Sequence, residues 1–232
     1  MGNNDYRIIN EILVRLREEI IPVDWSGDIN DSTTVSDYQK VIGSLVNDSK
    51  RTIESYHDWL ALRETKSIAT VSGTKNYSLL SGQEFKILDV TNTANGNNLS
   101  QVSRTYLNSI KYPTDPTGEP NYYGFTGTDV LNNLLVDLSP IPTSVQTINF
   151  DIVKYQDELT LSATVLKIPH KPVMLGAFAR AISERGEDGG TQSSLAAQEA
   201  IDATNQAIIL DSGNTQYETD WYVSSHYNNT NR

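Results

Sequence analysis

Apolar positions recur at helical spacing at both ends of the chain and at strand-like spacing in the middle. Tyr6, Ile9, Leu13, Leu16 and Ile20 fall three or four residues apart, which predicts a helix from Asp5 to Ile20, closed by Pro22. The polar stretch VDWSGDINDS reads as a loop. A second stripe, Val35, Tyr38, Ile42, Leu45, Ile53, Tyr56 and Leu60, predicts a longer helix from near Thr34. Cap candidates precede it between Ser32 and Ser36, and Asp37 stands in its first turn. The stripe weakens between Asn47 and Lys50. Two antiparallel helices therefore open the chain, over residues 1–65.

The period then changes. KSIATVSGTKNYSLLS, EFKILDVTNT, RTYLNSIKY, NYYGFTG, NNLLVDLSP and VQTINFDIVKY are short and rich in β-branched and aromatic residues. Gly, Asn, Asp and Pro separate them, with TANGNNLS as a hairpin-like tip and YPTDPTGEP as a strand-breaking connection. Residues 66–168 thus read as an antiparallel β-domain inserted between helices. Helical spacing returns after Pro169 and Pro172 in two series, Val173, Ala177, Ala181 and Met174, Phe178, Ile182. Another helix follows from Thr191 to Leu210, completing a helical hairpin over 169–211. The remainder, 212–232, reads as an extended C-terminal arm, so the expected class is α+β.

ISERGEDGG joins the two helices of the hairpin and places three glycines and four charged residues in nine positions. A phosphate loop wants GxxxxGK[ST], or GxGxxG after a strand. Here the glycines follow a helix, no Lys is present, and Glu184, Glu187 and Asp188 repel phosphate. The alternating oxygen ligands of a calcium loop are missing as well. The run fits a turn. Gly186 takes the left-handed position that closes a helix, Gly189 and Gly190 let the chain reverse, and Thr191 caps the next helix.

Composition narrows the function classes. The net charge of −11 is wrong for binding a phosphate backbone. With no cysteine there is no disulfide framework, thiolate zinc site or Cys nucleophile. No apolar run approaches the ~18 residues of a membrane span, and the N-terminus has neither the basic nor the apolar region of a signal peptide. His57, His170 and His226 show no metal-motif spacing and read as packed or solvent-facing. No catalytic residue, cofactor site or metal ligand is expected, and the chain reads as a non-enzyme. The tail is more informative. Tyr217, Trp221, Tyr222 and Tyr227 stud a polar segment that cannot form a core alone, which reads either as a disordered terminus or as an arm that docks on a partner through aromatic anchors.

The order of features resembles the head-to-tail adaptor proteins of tailed bacteriophages. The resemblance rests on DWLALRE after the helix pair, then NYSLL, GEPNYYGF, DLSPIP, INFDIVKY and LKIPHKPVMLGAFARA. It covers about Asp5 to Leu210, with Leu80 standing where the family has a proline. It implies a structural virion protein: a homo-oligomeric, twelve-fold ring between the portal protein above and a tail protein (nozzle, tube or neck) below. DNA would pass through the channel without sequence-specific binding. The tail with Tyr217, Trp221, Tyr222 and Tyr227 would be a portal-docking arm. The protein would be made in the host cytoplasm and reside in the virion neck. The alternative is a receptor- or glycan-binding β-module of a phage tail, motivated by the Tyr-rich centre.

Overall fold

The computed structural model describes residues 5–22, 24–30, 33–81, 85–111, 114–186 and 190–227. Its helices are α1 (Asp5–Leu16), α2 (Asp37–Glu54), α3 (Arg104–Ile110), α4 (His170–Arg185) and α5 (Thr191–Tyr227). The longer strands are β1 (Arg63–Ala69), β2 (Asn76–Ser81), β3 (Phe85–Asn92), β7 (Tyr122–Thr128), β8 (Asn133–Ser139) and β10 (Thr147–Lys154). Two-residue strands fill the gaps: β4 (Asn97–Asn98), β5 (Ser100–Gln101), β6 (Thr117–Gly118) and β9 (Ile141–Pro142). The chain divides into two compact units. One combines the chain up to Leu62 with everything from Gln156 onward, and the other is Arg63–Tyr155.

In the helical unit, α1 packs on α2 and α4, α2 packs on α4, and α4 packs on α5. Members of the predicted stripes form its core: Ile9 and Leu13 of α1, Ile42 and Ile53 of α2, and Val173 and Ala177 of α4 are all buried, while Val46, outside the predicted stripe, is buried in place of the half-buried Leu45. Ser36 begins α2 with a capping box. Its hydroxyl accepts the Gln39 amide, and the Gln39 side chain accepts the Ser36 amide. The first helix stops at Leu16, short of the expected Ile20. Arg17 adopts a left-handed φ of 59°. The Glu18 amide donates to the Leu13 carbonyl at 2.9 Å and the Arg17 amide to Val14 at 3.1 Å. That pairing ends the helix at Leu16, well before Pro22 has any bearing.

In the other unit, one sheet runs β1-β10-β3-β4 and a second runs β2-β8-β7-β5. Pairing among the long strands is antiparallel, while the short pairs β5–β7 and β6–β9 are parallel. β10 alternates, burying Ile148, Phe150 and Ile152. These meet Tyr77, Leu79, Tyr123, Val136 and Leu138 of the second sheet in one apolar cluster. The Tyr123 and Phe150 rings meet edge to face at 5.8 Å.

Three segments differ from expectation. RTYLNSI, expected as a strand, is helix α3, because Ser103 caps it by accepting the Tyr106 amide at 3.2 Å. Residues 156–168 contain no long strand and lie in the helical unit. The expected extended arm is helical, since α5 continues past Leu210 to Tyr227. No proline interrupts Thr191–Tyr227, and a single exposed glycine at position 213 costs a helix only about 1 kcal/mol relative to alanine.

Candidate functional site

The structure separates the candidates of the sequence: the turn residues lie between α4 and α5, and the aromatic residues lie towards the far end of α5. Gly186 terminates α4 in the left-handed conformation, φ 65° and ψ 13°, and its amide donates to the Ile182 carbonyl at 3.2 Å. A residue with a Cβ is strained there. Gly190 also has positive φ, at 90°. Its carbonyl accepts the Ser194 amide at 3.1 Å and the hydroxyls of Ser193 and Ser194 at 3.1 and 2.6 Å. Gly190 thus occupies the cap position, and Thr191 is the first residue inside the helix rather than the cap. Gly189 lies outside the described residues.

Small residues let these helices approach. Ala196, Ala200, Ala203 and Thr204 are buried on α5, and Ala177, Ala179 and Ala181 on α4. Gly176 of α4 faces α2 so closely that an added Cβ would collide with the Ser49 hydroxyl. Between α2, α4 and α5 runs a groove of about 260 Å³, lined among others by Thr52, Tyr56, Ala197 and Ile201. Leu195, Ile201, Ile209 and Leu210 of α5 are exposed to solvent. One side of α5 is thus consumed by the hairpin, and apolar positions remain outside it.

A single carboxylate fastens α5 near the end of its docked part. Asp211 Oδ2 accepts His57 Nε2–H at 2.9 Å and the Leu60 amide at 3.1 Å. His57 packs edge-on against Trp59, 5.1 Å between ring centres, and the buried Trp59 indole donates to the Ile53 carbonyl at 3.0 Å. The DWLALRE segment therefore holds α5. Beyond Asp211 the helix carries Tyr217, Trp221, Tyr222 and Tyr227, whose backbone is helical and whose side chains lie outside the described residues. Sequence reading left His57 as an unremarkable packed or solvent-facing residue and missed this tie. Its only signal was an acid at the start of the DSGNTQ run.

A second polar arrangement explains the weak patch in the α2 stripe. Asn47 pairs with the Leu159 backbone, its Nδ2 donating to the carbonyl at 3.1 Å and its Oδ1 accepting the amide at 2.8 Å. Lys50 and Glu54 form a fully buried ion pair at 3.5 Å. The Lys50 ammonium donates to the Gln156 carbonyl and, at 3.0 Å, to the Asp157 carbonyl. Glu54 Oε1 accepts the Gln156 amide at 3.2 Å. Burial pushes the Lys50 pKa down and the Glu54 pKa up, each opposed by the charge of the other. These three side chains grip the chain as it returns from the β-unit. The i,i+4 spacing of Lys50 and Glu54 was visible in sequence, but their burial was not.

His170 Nε2 meets Glu11 at 3.1 Å, and Glu11 also pairs with Arg15 at 3.5 Å, a structural tie between α1 and α4. Among the described residues no cluster of His, Asp and Glu is placed to hold a metal ion, and no helix is long and apolar enough to cross a membrane. The family model for the SU10 adaptor protein matches residues 8–225 of the chain. No curated protein matches it.

Proposed function

This chain belongs to the SU10 adaptor protein family, and from that premise we propose that it forms the ring between portal and tail of a phage virion, around the DNA exit channel. The observation that carries this reading is α5: a helix fastened on one side, apolar outside the fastening, and continued well beyond the tie at Asp211. A monomer gains nothing from leaving Leu195, Ile201, Ile209 and Leu210 in water, whereas neighbours in a ring would cover them. In this reading the ring is homo-oligomeric and twelve-fold, and a tail protein binds below it. The helix from Asp211 to Tyr227, with Tyr217, Trp221, Tyr222 and Tyr227, docks on the portal.

The net charge of −11 per chain supports a channel that repels the DNA backbone, so that DNA slides without adhering. The role is structural and the chain carries no reaction. Removing residues 214–232 tests the docking arm: portal binding is expected to weaken at least about tenfold, which corresponds to about 1.4 kcal/mol. The Asp211 ties to His57 and Leu60 remain in the truncated chain, so its thermal midpoint is expected to match the full chain. Undiminished portal binding by the truncated protein contradicts the arm assignment.

A further inference from the structure

We propose that a cleft in the β-unit, between α3 and the strands β2, β7 and β8, receives an acidic peptide segment of a partner protein. The cleft encloses about 300 Å³ and is lined by Lys75, Asn76, Arg104, Asn108, Lys111 and Asp137, with Leu107 and Thr126. Its wall is fixed by close packing. At Gly124 of β7 an added Cβ would come within 2.7 Å of Leu107 Cδ1 and of the Val102 carbonyl, so α3 lies directly against the strand.

Positive charge dominates the rim. Lys75 pairs with Asp115 at 3.2 Å, a contact that holds its ammonium pKa above the ordinary value. Arg104 makes a long contact, 3.4 Å, to the Thr126 carbonyl. Lys111 meets the Asn108 amide oxygen at 3.2 Å. Neither Arg104 nor Lys111 has a carboxylate partner among the described residues, in a chain whose net charge is −11. The nearly buried Asp137 is held by Asn76 Nδ2 at 2.7 Å.

This layout discriminates between ligands. A compact anion pressed into the cleft meets Asp137 and is repelled. Arg104 and Lys111 are seven residues apart, about 10 Å along the helix direction. An extended segment rises about 3.3 Å per residue and presents alternate side chains to one face, so acids two or four residues apart, about 7 and 13 Å, bracket the separation and reach both cations through their flexible side chains. Backbone N–H groups of such a segment supply donors for Asp137, and a carbonyl meets the Asn108 amide; the Asn76 amide is already spent on Thr126 and Asp137. The preference for a peptide over an acidic saccharide rests on the adaptor reading, in which the partners are other virion proteins.

Isothermal titration of the full-length protein tests this, with a synthetic peptide of about eight residues carrying Glu at every second position, so that its acids share one face of an extended strand. Binding is expected, weakening with added NaCl as screening requires. The double variant Arg104→Glu/Lys111→Glu is expected to lose at least about tenfold in affinity. The milder Arg104→Gln/Lys111→Gln should lose part of it, with an unchanged circular dichroism spectrum as the check on folding. No salt-sensitive binding by the wild-type chain, or equal binding by both variants, overturns the proposal. Tighter binding of a glucuronate oligomer or of inorganic phosphate overturns the peptide assignment. Ring formation is a separate readout: a wild-type chain that binds the peptide but forms no ring contradicts the adaptor reading and leaves the cleft standing.

Discussion

Lys50 and Glu54 spend two buried charges on holding two backbone positions, Gln156 and Asp157. Replacing Lys50 alone by Met strands the Glu54 carboxylate, and the expected loss is about 3–5 kcal/mol in urea unfolding. The double variant Lys50→Met/Glu54→Leu should recover most of that loss. The lowered Lys50 pKa makes stability fall as pH drops from the ordinary lysine value through the lowered one. The raised Glu54 pKa makes stability fall as pH rises from the ordinary carboxylate value through the raised one. Both variants lack Lys50, so the advantage of the double variant over Lys50→Met follows the Glu54 carboxylate alone and is expected to shrink towards acid, where that carboxyl is protonated. Gly176 belongs to the same scale. Its Cβ would enter the Ser49 hydroxyl, and Gly176→Val is expected to cost about 1–3 kcal/mol by overpacking, measured as a lower urea midpoint.

At the scale of elements, Gly186 sets the α4–α5 hairpin. Gly186→Val places a β-branched residue at φ 65° and is expected to cost about 1–3 kcal/mol, whereas Gly186→Asn should cost much less. An unchanged thermal midpoint for the valine variant contradicts the hinge assignment. This turn was legible because a glycine after an apolar helical run has a strong local cause. The stripes of α1 and α2 were legible for the same reason, and so were the alternating positions of β10. Helix ends were harder. Arg17 ends α1 in a left-handed conformation that its residue type does not advertise, and Ser103 turns a β-branched, aromatic stretch into α3 through one side-chain bond. The far half of α5 was read as an arm because its apolar spacing fades after Leu210, yet nothing in it breaks a helix. The ties at Asp211 and Asn47 join residues more than a hundred positions apart, which no local pattern encodes.

For the whole molecule, the family match makes the chain an adaptor-type protein, and the proposed ring would cover its exposed apolar helix positions. The α–β–α order leaves the β-unit, Arg63–Tyr155, as an insertion in the helical unit, within which α2 side chains hold Gln156 and Asp157. Assembly of like-charged subunits should favour moderate or high ionic strength, because screening reduces repulsion between chains of net charge −11. Sedimentation at low and high NaCl checks this, with larger species expected at high salt. The most direct measurement is negative-stain imaging of the purified protein mixed with its portal. The account predicts a closed, twelve-fold ring of this chain coaxial with the portal. Portal rings that remain bare at saturating protein, or bind scattered single copies without a closed ring, contradict it.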